Sequence, residues 1–253
     1  MSQHPIIDVF NRITTRAPFV RPRALEMFCG AGTMHTKEYA PLCEYLEGWD
    51  LKEDRIAEFK RNLPQAKARV CDAFKEISQP RPAGSPNDFN VILVDSNFLQ
   101  APRFEHFDLF PGIFSVMAPA ICFVVFTVCP DPFGYAEPRK DLLQKAYGDR
   151  VEDFLKDWDS ARDRFYNLPP LDPSNMPKPR PVSSVRLQDM EAIYRDKFEA
   201  AGWEVPYTFS CMRAKAAGYV LIEAKREAVS VVQAATDAIK AAKPAKSRKA
   251  AAA

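Results

Sequence analysis

The sequence predicts an α/β fold, a mostly parallel sheet with helices on both faces, and three observations carry that prediction. Short apolar runs alternate along the chain with segments of helical periodicity. Asn90 to Val94 and Ile121 to Val128 are near-continuous apolar runs, the mark of strands buried on both faces. The first run, from Leu25 to Phe28, passes straight into a tight turn containing Gly30 and Gly32. With 253 residues, 47% of them hydrophobic, the chain can bury a full core as one domain with embellishments.

Each element follows from local chemistry. Ala24 to Phe28 is the first strand. Tyr39, Leu42, Cys43 and Leu46 have helical spacing and predict a helix over 38–47, although Pro41 suits only its first turn. Gly48-Trp49-Asp50 marks a second strand. Ile56, Phe59, Lys60 and Leu63 place a helix over 53–63, stopped by Pro64. Ala68 to Cys71 is a third strand, Asn90 to Val94 a fourth and Ile121 to Val128 a fifth, with a helix ending at Ile113 to Met117. Residues 130–185 then break the pattern with proline and charge. One helix, 149–166, interrupts them before a proline-rich connector at 168–181. A helix over Leu187 to Ala201 resumes the core. Glu204 to Met212 and Tyr219 to Ala224 follow as an antiparallel hairpin joined by Arg213 to Gly218. An alanine-rich helix over 227–242 and a basic, disordered tail from Lys243 to Ala253 end the chain. The organisation is therefore an N-terminal arm (1–22), a main domain (23–225) with an insertion (130–185), and a C-terminal helix and tail (226–253).

Composition excludes several classes. The net charge is only +2. Six cysteines, at 29, 43, 71, 122, 129 and 211, form no C-x-x-C pair. They read as scattered thiols rather than a disulfide frame or zinc site, which implies a reducing compartment. His4, His35 and His106 lack metal-ligand spacing, so no metal is expected. No apolar stretch reaches the ~18 residues needed to span a bilayer. The N-terminus lacks the order of a signal peptide, so a cytoplasmic location is expected.

Acids end the successive strands. Glu26 lies in the first, Asp50 ends the second, Asp72 follows the third and Asp95 the fourth. In an open parallel sheet, ligands bind beyond the carboxyl ends of the strands. Asp50, twenty residues after the glycine turn, can accept from both hydroxyls of a ribose. Asp72 can accept from an adenine amino group, and Asp95 would face the reacting centre.

These residues resemble the class I S-adenosylmethionine-dependent methyltransferases. Glu26-Met27-Phe28-Cys29-Gly30-Ala31-Gly32 is similar to the family's first motif, with Phe28 where many members have a glycine. Its Phe-Cys-Gly variant resembles that of several nucleic-acid base methyltransferases. Gly48-Trp49-Asp50 resembles the second motif, Cys71-Asp72-Ala73-Phe74 the third, and Asp95-Ser96-Asn97-Phe98 the fourth. The resemblance covers roughly residues 20–128 and 186–225. It implies a Rossmann-like, seven-stranded sheet and S-adenosylmethionine as cofactor. It also implies a cofactor site of Glu26, Phe28, Cys29, Gly30, Gly32, Asp50, Leu51, Asp72, Ala73 and Asp95. Glu26 would support the loop or meet the methionine ammonium. A dinucleotide enzyme is disfavoured, because the third glycine of G-x-G-x-x-G falls at His35, which is too large.

On the acceptor side the resemblance implies Asp95, Asn97 and Phe98. The first two can accept from an amino group and the third can stack on a base. Ser96 and Asn97 replace the two prolines of the amino-methyltransferase pattern. Cys129, after the fifth strand, is an alternative nucleophile of the kind that attacks a pyrimidine ring. Seven basic residues after 224, against Glu227 and Asp237, leave residues 225–253 at +5 and the remainder near −3. With Arg12, Arg16, Arg21 and Arg23 they form basic termini that suit phosphates. The leading expectation is methylation of a nucleic-acid base. Methylation of a small molecule or protein, and a non-catalytic module of the same fold, are the alternatives.

Overall fold

Seven strands form one sheet in the order β3-β2-β1-β4-β5-β7-β6. The computed structural model describes residues 4–18, 20–79, 89–95, 109–110, 112–118, 120–128, 144, 148–150, 152–153, 187–214 and 217–226. The strands are β1 (Arg23–Met27), β2 (Tyr45–Asp50), β3 (Lys67–Val70), β4 (Val91–Val94), β5 (Ile121–Val128), β6 (Glu204–Ala214) and β7 (Ala217–Lys225). Strands β1 to β5 pair in parallel, while β7 runs antiparallel to both β5 and β6. This is the mostly parallel sheet with an antiparallel C-terminal hairpin that the sequence predicts. The chain proceeds from β1 outward through β2 and β3, then returns to the other side of β1 for β4. The reversal opens a crevice between the carboxyl ends of β1 and β4.

The alternation of side chains along each strand divides the core between the two faces. Leu25, Met27, Ile92, Val94, Val124 and Phe126 pack on one face. Above them lie α4 (Ala73–Ser78), the 3-10 turn Gly112–Ser115 and α5 (Leu187–Ala200). Ala24, Val91, Leu93, Phe123, Val125 and Tyr219 pack on the other, beneath α1 (Pro5–Arg16), α2 (Thr36–Tyr39) and α3 (Glu53–Asn62).

The segment expected as an N-terminal arm carries α1. Ile6, Val9, Phe10 and Ile13 recur at helical spacing and are all buried, with Pro5 in the first turn. Phe10 stacks on Tyr39 at 4.5 Å between ring centroids, 11° from parallel. Its arginines are engaged. Arg12 Nη1 donates to the Tyr207 hydroxyl (2.9 Å) and lies over the Phe209 ring, while Arg16 Nε bonds the buried Glu223 (2.6 Å).

Several boundaries move. The helix expected over 38–47 does not form. The helix α2 stops at Tyr39, Pro41 sits in a 3-10 turn over Ala40–Leu42, and β2 already begins at Tyr45. Pro41 has no N–H to continue an α-ladder, and a strand between β1 and β3 buries Leu46 and Trp49. The helix end expected at 113–117 is instead the 3-10 turn at 112–115. Arg213, expected in the hairpin connection, belongs to β6. The helices expected at 149–166 and 227–242, the connector 168–181 and the tail lie outside the described residues, apart from short pieces at 148–150 and 152–153. Among the described residues no helix is long and apolar enough to cross a membrane.

If α1 is integral to the core, Phe10→Ala should lower unfolding stability by about 3–5 kcal/mol, the cost of an aromatic truncation in a packed core. Urea denaturation measures it. A loss below 1 kcal/mol would show that α1 is a detachable arm.

Candidate functional site

The glycine turn caps the end of β1 and is held by the neighbouring strand. Cys29 N–H donates to the Trp49 carbonyl (3.0 Å), and Gly32 N–H to the Cys29 carbonyl (3.1 Å). Three residues of the turn adopt left-handed backbone: Phe28 at φ 61°, Gly30 at 55° and Gly32 at 67°. For Phe28 this is a strained state costing on the order of 1–3 kcal/mol. Its ring packs beside Phe74, with centroids 5.7 Å apart, and the bonded turn on either side holds the conformation. The two glycines differ. A Cβ on Gly32 would lie 2.8 Å from Phe59 Cδ2 and 2.9 Å from Leu63 Cδ1, so helix packing excludes one. A Cβ on Gly30 would meet nothing within 4 Å, so that side of the turn faces open space.

The next strands bring their acids to the same end of the sheet. Asp50 Oδ2 accepts from Gly30 N–H (3.0 Å) and Oδ1 from Lys52 N–H (2.9 Å). Each oxygen keeps a further lone pair. Leu51, beside it, is 68% exposed, unusual for a leucine at the end of a central strand. Asp72 follows β3 and caps α4 by accepting from Phe74 N–H (3.1 Å), while Ala73 is buried. Asp95 follows β4, with its own N–H reaching the Met27 carbonyl (3.3 Å). These residues therefore sit on adjacent strands around the topological switch.

Glu26 departs from one of its expected roles. It is fully buried, and its two oxygens accept from His35 Nε2 (2.9 Å), Thr36 Oγ1 (3.0 Å) and Tyr39 Oη (2.7 Å). It supports the segment after the glycine turn from beneath and presents no surface to a methionine ammonium.

His35, which the sequence offered only as an obstacle to a third glycine, is the centre of this network. Its Nδ1 meets the Tyr219 hydroxyl (2.8 Å), and its Nε2 lies 3.7 Å from Asp95 Oδ2. Asp95 Oδ1 accepts from both Thr127 Oγ1 and Arg213 Nη1, each at 2.9 Å. Burial opposes charge on His35, yet the carboxylates of Asp95 and Glu26 outweigh it and raise its pKa. Ligand atoms of Glu26, His35 and Asp95 lie within 4.8 Å of one another, close enough for a cation. Thr36, Tyr39, Thr127 and Arg213 already donate to the two carboxylates, and the guanidinium supplies positive charge beside Asp95.

Cys29 is buried beneath the turn, and burial pushes its thiol far up. Burial also raises Cys43 to about 12 and Cys71 and Cys211 to about 11, which keeps these thiols protonated near neutrality. Asn97, Phe98 and Cys129 lie outside the described residues.

Solved structures share this fold. One, from work on the conversion of a disulfide bond into a thioacetal group during echinomycin biosynthesis, aligns over 92% of this chain and 87% of its own. Its TM-score is 0.50 at 13% identity. The magnesium protoporphyrin IX methyltransferase of Synechocystis PCC 6803 with bound S-adenosylhomocysteine aligns over 89% and 83%, with a TM-score of 0.49 at 12% identity. The N-methyltransferase NodS of Bradyrhizobium japonicum WM9, also with S-adenosylhomocysteine, aligns over 89% and 90%, at 0.46 and 11%. At such identities the likeness is one of fold. No protein-family model matches the sequence, and no curated protein matches it.

Two measurements test this geometry. Gly32→Ala should cost about 2–4 kcal/mol of stability, from left-handed strain plus overpacking, and Gly30→Ala only about 1–2 from strain alone. Equal losses would contradict the open space at Gly30. A raised His35 pKa gives stability that is complete below the unfolded value of 6.5 and lost as pH rises through the folded value. The stability advantage of the wild type over His35→Gln should therefore shrink as urea denaturation is moved from pH 5.5 to pH 9. A constant difference would mean that His35 does not titrate in this range.

Proposed function

We propose that the protein transfers a methyl group from S-adenosylmethionine to a small-molecule acceptor. One observation carries this reading: an open glycine turn, the Asp50 carboxylate bonded to it and the exposed Leu51 converge at one end of adjacent strands. An adenosine fits that chemistry. The spare lone pairs of Asp50 accept from the two ribose hydroxyls, and Leu51 covers an adenine face. Asp72, with Ala73 beside it, accepts from the adenine amino group. The turn of Phe28, Cys29, Gly30 and Gly32 offers backbone at close range. Glu26 acts from below by holding the following segment in place.

When bound, S-adenosylmethionine supplies an electrophilic methyl group on a sulfonium. The protein's part is placement, which in favourable cases is worth ~7–11 kcal/mol of barrier. Asp95 lies where the acceptor must approach. Thr127 and Arg213 fix its Oδ1, while among the described residues Oδ2 has only the longer approach to His35. Oδ2 orients an acceptor N–H or O–H and receives its proton as the nucleophile's lone pair bonds the methyl carbon, while the carbon–sulfur bond breaks with its electron pair left on sulfur as a neutral thioether. Asn97 and Phe98, by the family resemblance, complete this side.

A nucleic-acid acceptor draws on the Phe-Cys-Gly variant and the basic termini. Three of the four N-terminal arginines have partners within the protein. Arg12 and Arg16 bind partners on β6 and β7, and Arg23 lies over the Tyr45 ring. Negligible, salt-insensitive retention of RNA and DNA oligonucleotides is the result expected for a small-molecule enzyme. Binding that weakens steeply with salt would restore the base as acceptor.

Calorimetry should detect both S-adenosylmethionine and S-adenosylhomocysteine. Asp50→Ala should weaken S-adenosylmethionine by about 1.5–3 kcal/mol, the scale of hydrogen bonds to a charged group. Unchanged affinity in a folded variant would remove the ribose from this position.

A further inference from the structure

Arg213 stands apart from the other arginines of the described residues in how it is presented. The register of the terminal hairpin slips by one between the Met212↔Gly218 and Ala214↔Ala217 pairs, so Arg213 is the extra residue of a β-bulge. Bulges re-aim a side chain out of the regular alternation and are enriched beside active sites. Here the bulge sends a long cation from β6, the edge strand, back across the sheet to Asp95 at the end of β4.

The guanidinium is desolvated but not filled. Its side chain is only 11% exposed. Of its five N–H groups, one meets Asp95 Oδ1 and another points at the Met34 thioether (3.7 Å), a weak acceptor. Its remaining contact is with the Tyr219 ring, 5.7 Å from the centroid, and no further hydrogen-bond acceptor reaches it among the described residues. The small part of the guanidinium that stays exposed lies beside Asp95, where an acceptor brought in by a ligand can reach the N–H groups that no strong acceptor holds. Met34, whose thioether the guanidinium approaches, is 63% exposed and adds soft apolar surface suited to a carbon skeleton.

Asp95 and Arg213 thus offer adjacent, complementary vacancies: a carboxylate oxygen that wants a donor and a planar fork that wants acceptors. Resting on the methyltransferase reading above, we propose that Arg213 is a specificity-determining residue that binds a carboxylate of the methyl acceptor. The acceptor's nucleophilic N–H or O–H meets Asp95 Oδ2, and its acid group lies on the guanidinium. The preferred acceptor is accordingly a small organic acid with an amino or hydroxyl group close to its carboxylate. Thr127 keeps Asp95 oriented while Arg213 shares its donors, and a guanidinium matches a carboxylate in a way that an ammonium cannot.

The test uses the full chain loaded with S-adenosylhomocysteine, with anthranilate and its neutral twin anthranilamide as probes, followed by ligand-observed NMR and calorimetry. Wild type should bind the acid at least about tenfold more tightly than the amide. Arg213→Gln should abolish that preference while retaining S-adenosylhomocysteine affinity. Arg213→Lys, which keeps the charge and guards against misfolding of the glutamine variant, should retain part of it. Equal binding of acid and amide, binding of neither, or a preference that survives in Arg213→Gln overturns the assignment of Arg213 and leaves the cofactor site standing. Absence of S-adenosylhomocysteine binding to the wild type overturns both.

Discussion

The candidate site depends on a buried carboxylate. Glu26 is sealed inside the sheet, where an ion loses several kcal/mol of hydration. Three donors meet it, each worth about 1.5–3 kcal/mol to a charged acceptor, so their sum offsets a loss of that size. All three come from residues 35–39, at and within α2. The carboxylate therefore pins the chain that leaves the glycine turn, and the strained turn keeps one shape. His35 extends the network to Tyr219 on β7 and to Asp95 after β4. Elements far apart in sequence are thus tied into one polar cluster beneath the crevice.

Topology decides what that cluster can serve. The reversal of strand order beside β1 leaves a crevice between β1 and β4, and the carboxyl ends of β1, β2, β3 and β4 all lie on that side of the sheet. One side is suited to a nucleoside: open backbone at Gly30, paired oxygens on Asp50 and the apolar face of Leu51. The other side is suited to a polar reactant: Asp95 and Arg213 beside the exposed Met34. The antiparallel hairpin has a part in this beyond closing the sheet, because its bulge delivers the cation.

Much of this was legible in the residue order. The strand β5 and the segment before Asp95 show their burial as apolar runs, and the turn shows its need for left-handed backbone in Gly30 and Gly32. Other features left a signal that was open to more than one reading. Ile6, Val9, Phe10 and Ile13 carry helical spacing within a segment that otherwise looks like a polar arm. Tyr39 to Leu46 fits a helix by spacing alone, and Pro41 with the demand for a strand beside β1 overrides it. Asp72 reads equally as a ligand acid and a helix cap, and its cap is formed.

The sequence by itself determined the layered α/β class, the succession of strands and helices along the chain and the row of acids at the strand ends, because apolar periodicity and glycine punctuation are local signals. Only the tertiary structure decided that Glu26 lies inside rather than at the surface, that His35 joins it to Asp95, and that Arg213 reaches across the sheet. Those three facts depend on contacts between residues nine to 118 positions apart. Such contacts follow from strand order, register and a single bulged residue, none of which leaves a periodic trace along the chain.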